Sequence, residues 1–559
     1  MNRPAVWAPA LERVCLEVDG EEIPLERGSD GWWRPAQNHH GSYWFVVDGE
    51  RLPDPRSPWQ PDGIRGSSHT VDHSAFAWTD QSWHGFPLAS AVLYELHVGT
   101  FSPEGTFDGV ISRLDHLVDL GVNAIELLPV AEFPGRRGWG YDGVLLYAPH
   151  HGYGGPEGLK RLVDAAHARG LAVVLDVVYN HLGPSGNHLA RFGPYFTDRY
   201  RTPWGDAVNL DDRGSDEVRR YFCDNAVGWI RDYHLDGLRL DAVHAFADRS
   251  AIHFLEQLAG EVHNQGDRLG RQVWVIAESD LNDPRLVRPV EAGGYGLDAS
   301  WSDDFHHALH VLFTGERDGY YAAYEGMADL ARALERVYVH DGRYDGSRGR
   351  THGRPVGNLR RNRFLGYSQN HDQIGNRARG ERLSQLVEPE ALGAIAALVL
   401  TAPFVPMLFQ GEEWGSTSPF LYVTDHDDPE LAEAVRQGRR AEFAASVLDW
   451  DSRLQPPHSE LLSWYRRLLR LRGEHPELTA AGPDDTRVRF DVQRRWLVVE
   501  RGGFAIAVNL AGHAQLIARP PSARRILGTY PDHPVVLGPD GLQLPPGTVA
   551  IMGPDDHRA

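Results

Sequence analysis

The 559-residue chain carries 77 acidic against 56 basic side chains, a formal charge of −21, with 42% hydrophobic and 24% charged residues. That is the composition of a globular protein of two to four domains, and the lack of any basic tract excludes nucleic acid as an expected partner. Its two cysteines, Cys15 and Cys223, form no C-x-x-C pair, which excludes a disulfide framework and a thiolate zinc site.

Residues 1–85 alternate apolar and polar in short runs such as "RVCLEVDG" and "GSYWFVVDG", separated by Gly, Asp and Pro. A period of two between turn residues predicts a small N-terminal β-sandwich, with Trp32, Trp33 and Trp44 read as packing residues. The opening residues lack the apolar core of a signal peptide, and with so few cysteines the expected location is cytoplasmic. From about Ala91 the rhythm changes, and strand-length apolar runs alternate with helical patterns. Strands are predicted near residues 93, 125, 174, 239, 276, 299, 367 and 408. Eight β-then-α units argue for an α/β fold with a (β/α)8 barrel over 86–480. A doubly wound open sheet would call for a Gly-rich phosphate loop after the first strand, and none is present. The uncharged stretch "ALGAIAALVLTAPFVPMLF" (391–409) is interrupted by Pro403 and Pro406, so it reads as a buried helix and a buried strand, not a membrane span. Residues 481–559 return to alternation and predict a C-terminal β-sandwich.

Within the barrel, "DGLRLDAVHAF" (236–246) sets Arg239 and Asp241 on the face opposite Leu238 and Leu240. Charges on an inward face are costly unless paired. Other strand ends carry related chemistry: Asp176, Asn180 and His181 in "DVVYNH", Glu278 in "VIAES", His371 and Asp372 in "QNHD". Barrel active sites lie at the C-terminal ends of the strands, so these groups converge on one rim. Converging carboxylates fit either a hard metal ion or glycoside hydrolysis. Arg239 disfavours the metal, since a cation beside the nucleophile repels another, and would keep Asp241 ionised and oriented.

These four motifs, in this order, resemble the short regions of the α-amylase superfamily, glycoside hydrolase family 13. "LPDPRSPWQPDGIRGSS" (52–68), "WSDDFHHALHVLFTGE" (301–316), "SQNHDQIGNRARGERL" (368–383) and "PFLYVTDHDDPELAEAVRQGRRAEF" (419–443) are similar to its trehalose-releasing branch, the hydrolases of malto-oligosyltrehalose. The resemblance implies a retaining enzyme that cuts the α-1,4 bond next to a terminal trehalose unit, behind a carbohydrate-binding-module-like N-terminal sandwich. It makes Asp241 the nucleophile, Glu278 the acid and then base, and Asp372 the stabiliser of the distorted sugar, with the first two carboxyls about 5–5.5 Å apart. Tyr141, Asp142, Asp176, His181, Arg239, His244 and His371 would hold the sugar at the cleavage point. Asp303, Asp304 and His306, Gln373 and Arg377, and Glu412 and Glu413 are the candidates for reading the trehalose end.

No cofactor is implied. Asn180 stands where some α-amylases bind calcium, but the loop after it is short, so no required metal is expected. The implied pathway partner, a malto-oligosyltrehalose synthase, need not touch this chain. In "DHDDPELAE" Asp427 or Asp428 is expected to cap a helix before Pro429. Two alternatives stand beside this reading. A glycogen branching or debranching enzyme would share the catalytic trio. A non-catalytic barrel, such as the ectodomain subunit of a transporter, would need an anchor and would typically lose the trio.

Overall fold

The computed structural model describes residues 4–423, 442–479, 482–521 and 524–554. Asp427, Asp428 and Pro429 lie outside the described residues. A closed barrel of eight parallel strands forms the centre: β1 (Leu93–Leu96), β2 (Ala124–Leu127), β3 (Ala172–Val177), β4 (Gly237–Leu240), β5 (Trp274–Ala277), β6 (Ala299–Trp301), β7 (Phe364–Gly366) and β8 (Val405–Phe409). They pair in chain order, and β8 closes on β1. Each predicted strand is present.

The strands owe their two-sided burial to the layer around them. Leu96, Leu127, Leu175, Leu238 and Leu240 pack outward into the helical shell. Leu93, Ala124, Val174, Ile276, Trp301 and Met407 fill the interior as a separate apolar plug. Two residues further along three strands the inward position becomes charged: Leu93 gives way to Glu95, Ala124 to Glu126 and Val174 to Asp176. The barrel is therefore apolar at its base and ionic toward the C-terminal ends of its strands, where a reaction site can be held.

The shell includes α1 (Gly155–His167), α2 (Ser215–Asp232), α3 (Phe254–Leu269), α4 (Asp303–Thr314), α5 (Met327–Arg336), α6 (Pro389–Leu400) and α7 (His458–Glu474). Helix α6 and β8 are the uncharged stretch of the sequence. Proline at the first helical position starts α6, and every residue from Gly393 to Leu400 is buried. Among the described residues no helix is long and apolar enough to cross a membrane.

Ahead of the barrel, antiparallel strands Glu21–Pro24, Cys15–Val18, Ser42–Val47 and Glu50–Leu52 form one sheet, and Val6–Trp7, Trp32–Arg34 and Glu26–Arg27 a second. Trp33 is buried, whereas Trp32 donates from Nε1 to Glu217 on α2. Arg56 fastens this unit to the barrel by donating to Asp224 of α2 and to Tyr147. After α7 come a five-stranded and a three-stranded antiparallel sheet. Cys15 and Cys223 are buried free thiols.

Candidate active site

The fourth strand supplies the centre. Arg239 is fully buried, with its guanidinium 4.2 Å from the centroid of the Trp301 ring. Its Nη1 donates to both oxygens of Asp176 (2.9 and 2.7 Å) and to Oδ1 of Asp241 (2.8 Å). Nη2 lies 3.8 Å from Glu278. Parallel pairing sets Asp176 and Arg239 opposite each other on β3 and β4, so backbone register brings the ion pair together. Asn180 Nδ2 takes the other oxygen of Asp241 at 2.7 Å. Both carboxylate oxygens of Asp241 are thus oriented by donors, which fixes the direction a nucleophile needs.

Glu278 has the opposite environment. Burial raises its carboxyl well above the ordinary value, Arg239 opposes that, and Asp241, Asp303 and Asp372 reinforce it. A carboxyl held toward its protonated form is what the acid of an acid–nucleophile pair requires. The backbone contributes as well: Ala242 sits at φ 41°, in the left-handed region, and its N–H donates to Glu278 Oε2 at 2.5 Å. A non-glycine residue pays roughly 1–2 kcal/mol for that conformation. Here the bend turns an N–H toward the acid.

Asp372 lies on the first turn of a short helix, His371–Gly375, capped by Asn370, whose Oδ1 accepts from the Asp372 N–H at 2.9 Å. Its side chain is 45% exposed, open to whatever enters the mouth. His371 packs beneath it with Nε2 2.7 Å from the Tyr141 hydroxyl, the two rings stacked 5.2 Å apart. Tyr141 donates to Asp176 at 2.5 Å. His181 stacks on Trp204 at 4.4 Å and bonds to Asn180 Oδ1 at 2.5 Å, extending the network to the rim.

A family profile described as "Alpha amylase, catalytic domain" matches residues 65–200. The malto-oligosyltrehalose trehalohydrolase of Arthrobacter ramosus is 50% identical over 539 residues, spanning 91% of this chain and 93% of that one. The chain belongs to the malto-oligosyltrehalose trehalohydrolase family. A solved structure described as a putative alpha amylase from Salmonella typhimurium superposes with TM-score 0.89 at 35% identity, covering 98% of this chain and 97% of that one. A 1,4-alpha-glucan branching enzyme from Corynebacterium jeikeium is only 27% identical, over 82% of this chain and 66% of that one.

The residues placed at the trehalose end by their location after the strands divide into two groups. Asp303 is half-buried beside the catalytic carboxylates, accepts a short bond from the Tyr367 hydroxyl, and is raised to about 7, chiefly by desolvation. Arg377 is paired through both Nη atoms with Glu316 (2.8 and 2.9 Å), which also accepts from His310. Of the residues expected at the cleavage point, His244 is exposed, 3.9 Å from Asp280, and the charge of Asp142 acts on His181.

The others make bonds within the scaffold. Asp304 accepts from the N–H groups of Val339 and His340, from Asn282 and from Tyr324. His306 is fully buried between the Ser368 carbonyl and the Tyr321 hydroxyl. Glu412 accepts from Ser368, the Phe409 N–H and Tyr465 of α7; Glu413 accepts from Tyr94 and bonds to His116, in the helical layer. Gln373 Oε1 is used by the Asn370 N–H in the helix cap. Location after a strand placed these side chains near the mouth, but Asp304, His306, Glu412 and Glu413 are turned into the scaffold.

Glu95 and Glu126 escaped the sequence reading although each is a lone charge in an apolar strand, the same signal that exposed Arg239. Away from the trio, Glu132, His150 and His151 cluster closely enough to hold a metal ion. His150 Nδ1 accepts from the Gly152 N–H, its Nε2 faces the Gly135 carbonyl, and Glu132 pairs with His151 at 2.8 Å. Those bonds engage both His150 nitrogens, His151 Nδ1 and one Glu132 oxygen.

Proposed function

We propose that this chain hydrolyses malto-oligosyltrehalose at the α-1,4 bond next to the terminal trehalose unit, with retention of configuration, and releases trehalose. The observation that carries the reading is the pairing of a doubly hydrogen-bonded Asp241 with a proton-holding Glu278 around one fully buried arginine, in a chain half identical to a named trehalohydrolase. Asp241 attacks the anomeric carbon while Glu278 gives its proton to the departing oxygen of trehalose. Glu278, now ionised, takes a proton from water, which opens the glycosyl–Asp241 ester and restores both groups. Asp372 binds hydroxyls of the distorted ring, and Tyr141 lies under it, backed by His371. Asp142, Asp176, His181, Arg239 and His244 position the sugar and nucleophile, while Asp303 and Arg377 are the remaining candidates for the trehalose side.

The residue boundaries 1–85, 86–480 and 481–559 belong to this reading. So do a cytoplasmic location and a supply of substrate from a separate malto-oligosyltrehalose synthase. Incubation with maltohexaose and, separately, with maltotetraosyltrehalose, followed by chromatography of the sugars, tests the function. Free trehalose from the second, with slow attack on the first, is the expected result. Longer or branched glucans without free trehalose would make the chain a transferase instead.

A further inference from the structure

Beneath the catalytic layer, Glu95 on β1 is almost fully buried and grips His371 twice: Oε2 accepts from its backbone N–H (3.0 Å) and Oε1 meets Nδ1 at 2.6 Å. Counting protons along the bonds fixes the state of the ring. Asp176 receives two bonds from Arg239, so it acts as an acceptor, and the single proton of the Tyr141 hydroxyl goes to it. The Tyr141 oxygen must then accept from His371 Nε2–H, 2.7 Å away. A carboxylate only accepts, so Nδ1 also carries a proton, given to Glu95. Both ring nitrogens are protonated. His371 is an imidazolium.

We propose that Glu95 is a positioning residue that holds His371 as a cation, and that through the chain Glu95–His371–Tyr141–Asp176–Arg239 it sets the charge and orientation of the nucleophile Asp241. Signs alternate along that chain, each bond ending on a partner of the sense it needs, from β1 across the barrel to β4. Other groups act on His371. Asp372, 3.6 Å from Nε2, favours the cation; Arg239 opposes it. His97 stays neutral, its own value lowered to about 4 by burial, and Glu126 is driven toward its neutral acid by burial. The balance raises His371 to about 9 against desolvation, with Glu95 first among the raising charges. Removing the Glu95 charge leaves burial and Arg239 dominant, so the ring loses a proton and the chain from His371 to Asp241 loses that positive charge.

The inference rests on the retaining mechanism above, and its test is built to fail separately from it. α-Maltosyl fluoride needs no acid to expel fluoride, so the alkaline limb of its kcat/KM does not contain Glu278 and does not depend on recognition of trehalose. We expect Glu95→Gln to move that limb from about 9 to 6.5 or below, roughly 30-fold less activity at pH 8 if His371 returns to its ordinary value. Activity is regained on acidification. Glu126→Gln, which removes an equally buried carboxyl that makes no bond to His371, leaves the limb in place. A uniform loss at all pH values in Glu95→Gln, or the same shift in both variants, overturns the proposal. Should Glu95→Gln not fold, the native enzyme labelled with 15N in its histidine rings decides. With His371→Asn used for assignment, His371 shows two protonated nitrogens at pH 7.5, and a neutral tautomer refutes the claim.

Discussion

Arg239 is the side chain on which the site turns. It has no water to solvate it, so its charge is balanced by Asp176 and Asp241, with Glu278 nearby and the face of Trp301 against it. Substituting Asp241 by Asn removes the nucleophile while the amide keeps much of the local bonding. We expect turnover to fall by about four orders of magnitude or more with an unchanged melting profile, and retained activity would rule out its role. Glu278→Gln should be more selective: hydrolysis of a natural glucan collapses, whereas the first step on a glycosyl fluoride is largely spared. Equal losses on both substrates would argue against an acid role. The legible part of the site was that which breaks a strand's apolar run at a motif, as Arg239, Asp241 and Glu278 do. Glu95 breaks its run in the same manner in "LYEL", but at the first strand it lay outside the four motifs. What the sequence could not give was direction: Glu412 and Glu413 follow β8 as Glu278 follows β5, yet they turn into the helical layer.

At the scale of elements, α4 and β8 show how charges at strand ends can serve the scaffold instead of the substrate. Asp304, in the first turn of α4, ties the 337–340 segment, Asn282 and Tyr324 to one carboxylate. Asp304→Ala leaves the buried N–H groups of Val339 and His340 without an acceptor, a loss of about 3–5 kcal/mol. A fall in Tm that accounts for all lost activity is expected; normal stability with an altered KM for the trehalosyl substrate would return Asp304 to the site. Glu412 sits between β8 and α7, and burial raises its carboxyl to about 7 from 4.5. The folded state therefore binds a proton that the unfolded state has released between those two values, so stability falls as pH rises from 4.5 through 7. Glu412→Gln removes this dependence. Relative to the parent, its Tm should be higher at pH 8.5 than at pH 5, and a pH-independent difference would show that Glu412 does not titrate in that window. The barrel was readable because its strands are continuously apolar and regularly spaced by helical patterns, a feature that survives any detail of direction.

For the molecule as a whole, the question is whether the flanking β units are separable attachments. One continuous apolar core runs from Val6, Phe45 and Val47 through the outward faces of the barrel strands to Leu497, Ile506 and Ile551 in the last sheet. The C-terminal join is also polar. Arg501 Nη1 donates to the carbonyls of Thr401, Ala402 and Leu478, and Arg472 of α7 to those of Leu400, Ala402 and Phe404. Both guanidiniums are buried with carbonyls in place of carboxylates, and burial lowers them to about 10 and about 9. Since that leaves each charged throughout the range from pH 5 to 8, the join should not weaken with pH there. The bonded carbonyls cap α6 and lead into β8, so the last sheet holds the segment that closes the barrel. Calorimetry should then record a single unfolding transition in spite of the chain's length, because no unit can leave without uncovering the shared core. Arg501→Met strands the carbonyls of Thr401 and Leu478 and should cost about 3 kcal/mol, lowering that one transition by a few degrees without splitting it. An early, separate transition in the variant would show instead that the C-terminal sheets unfold on their own and that the barrel closes without them.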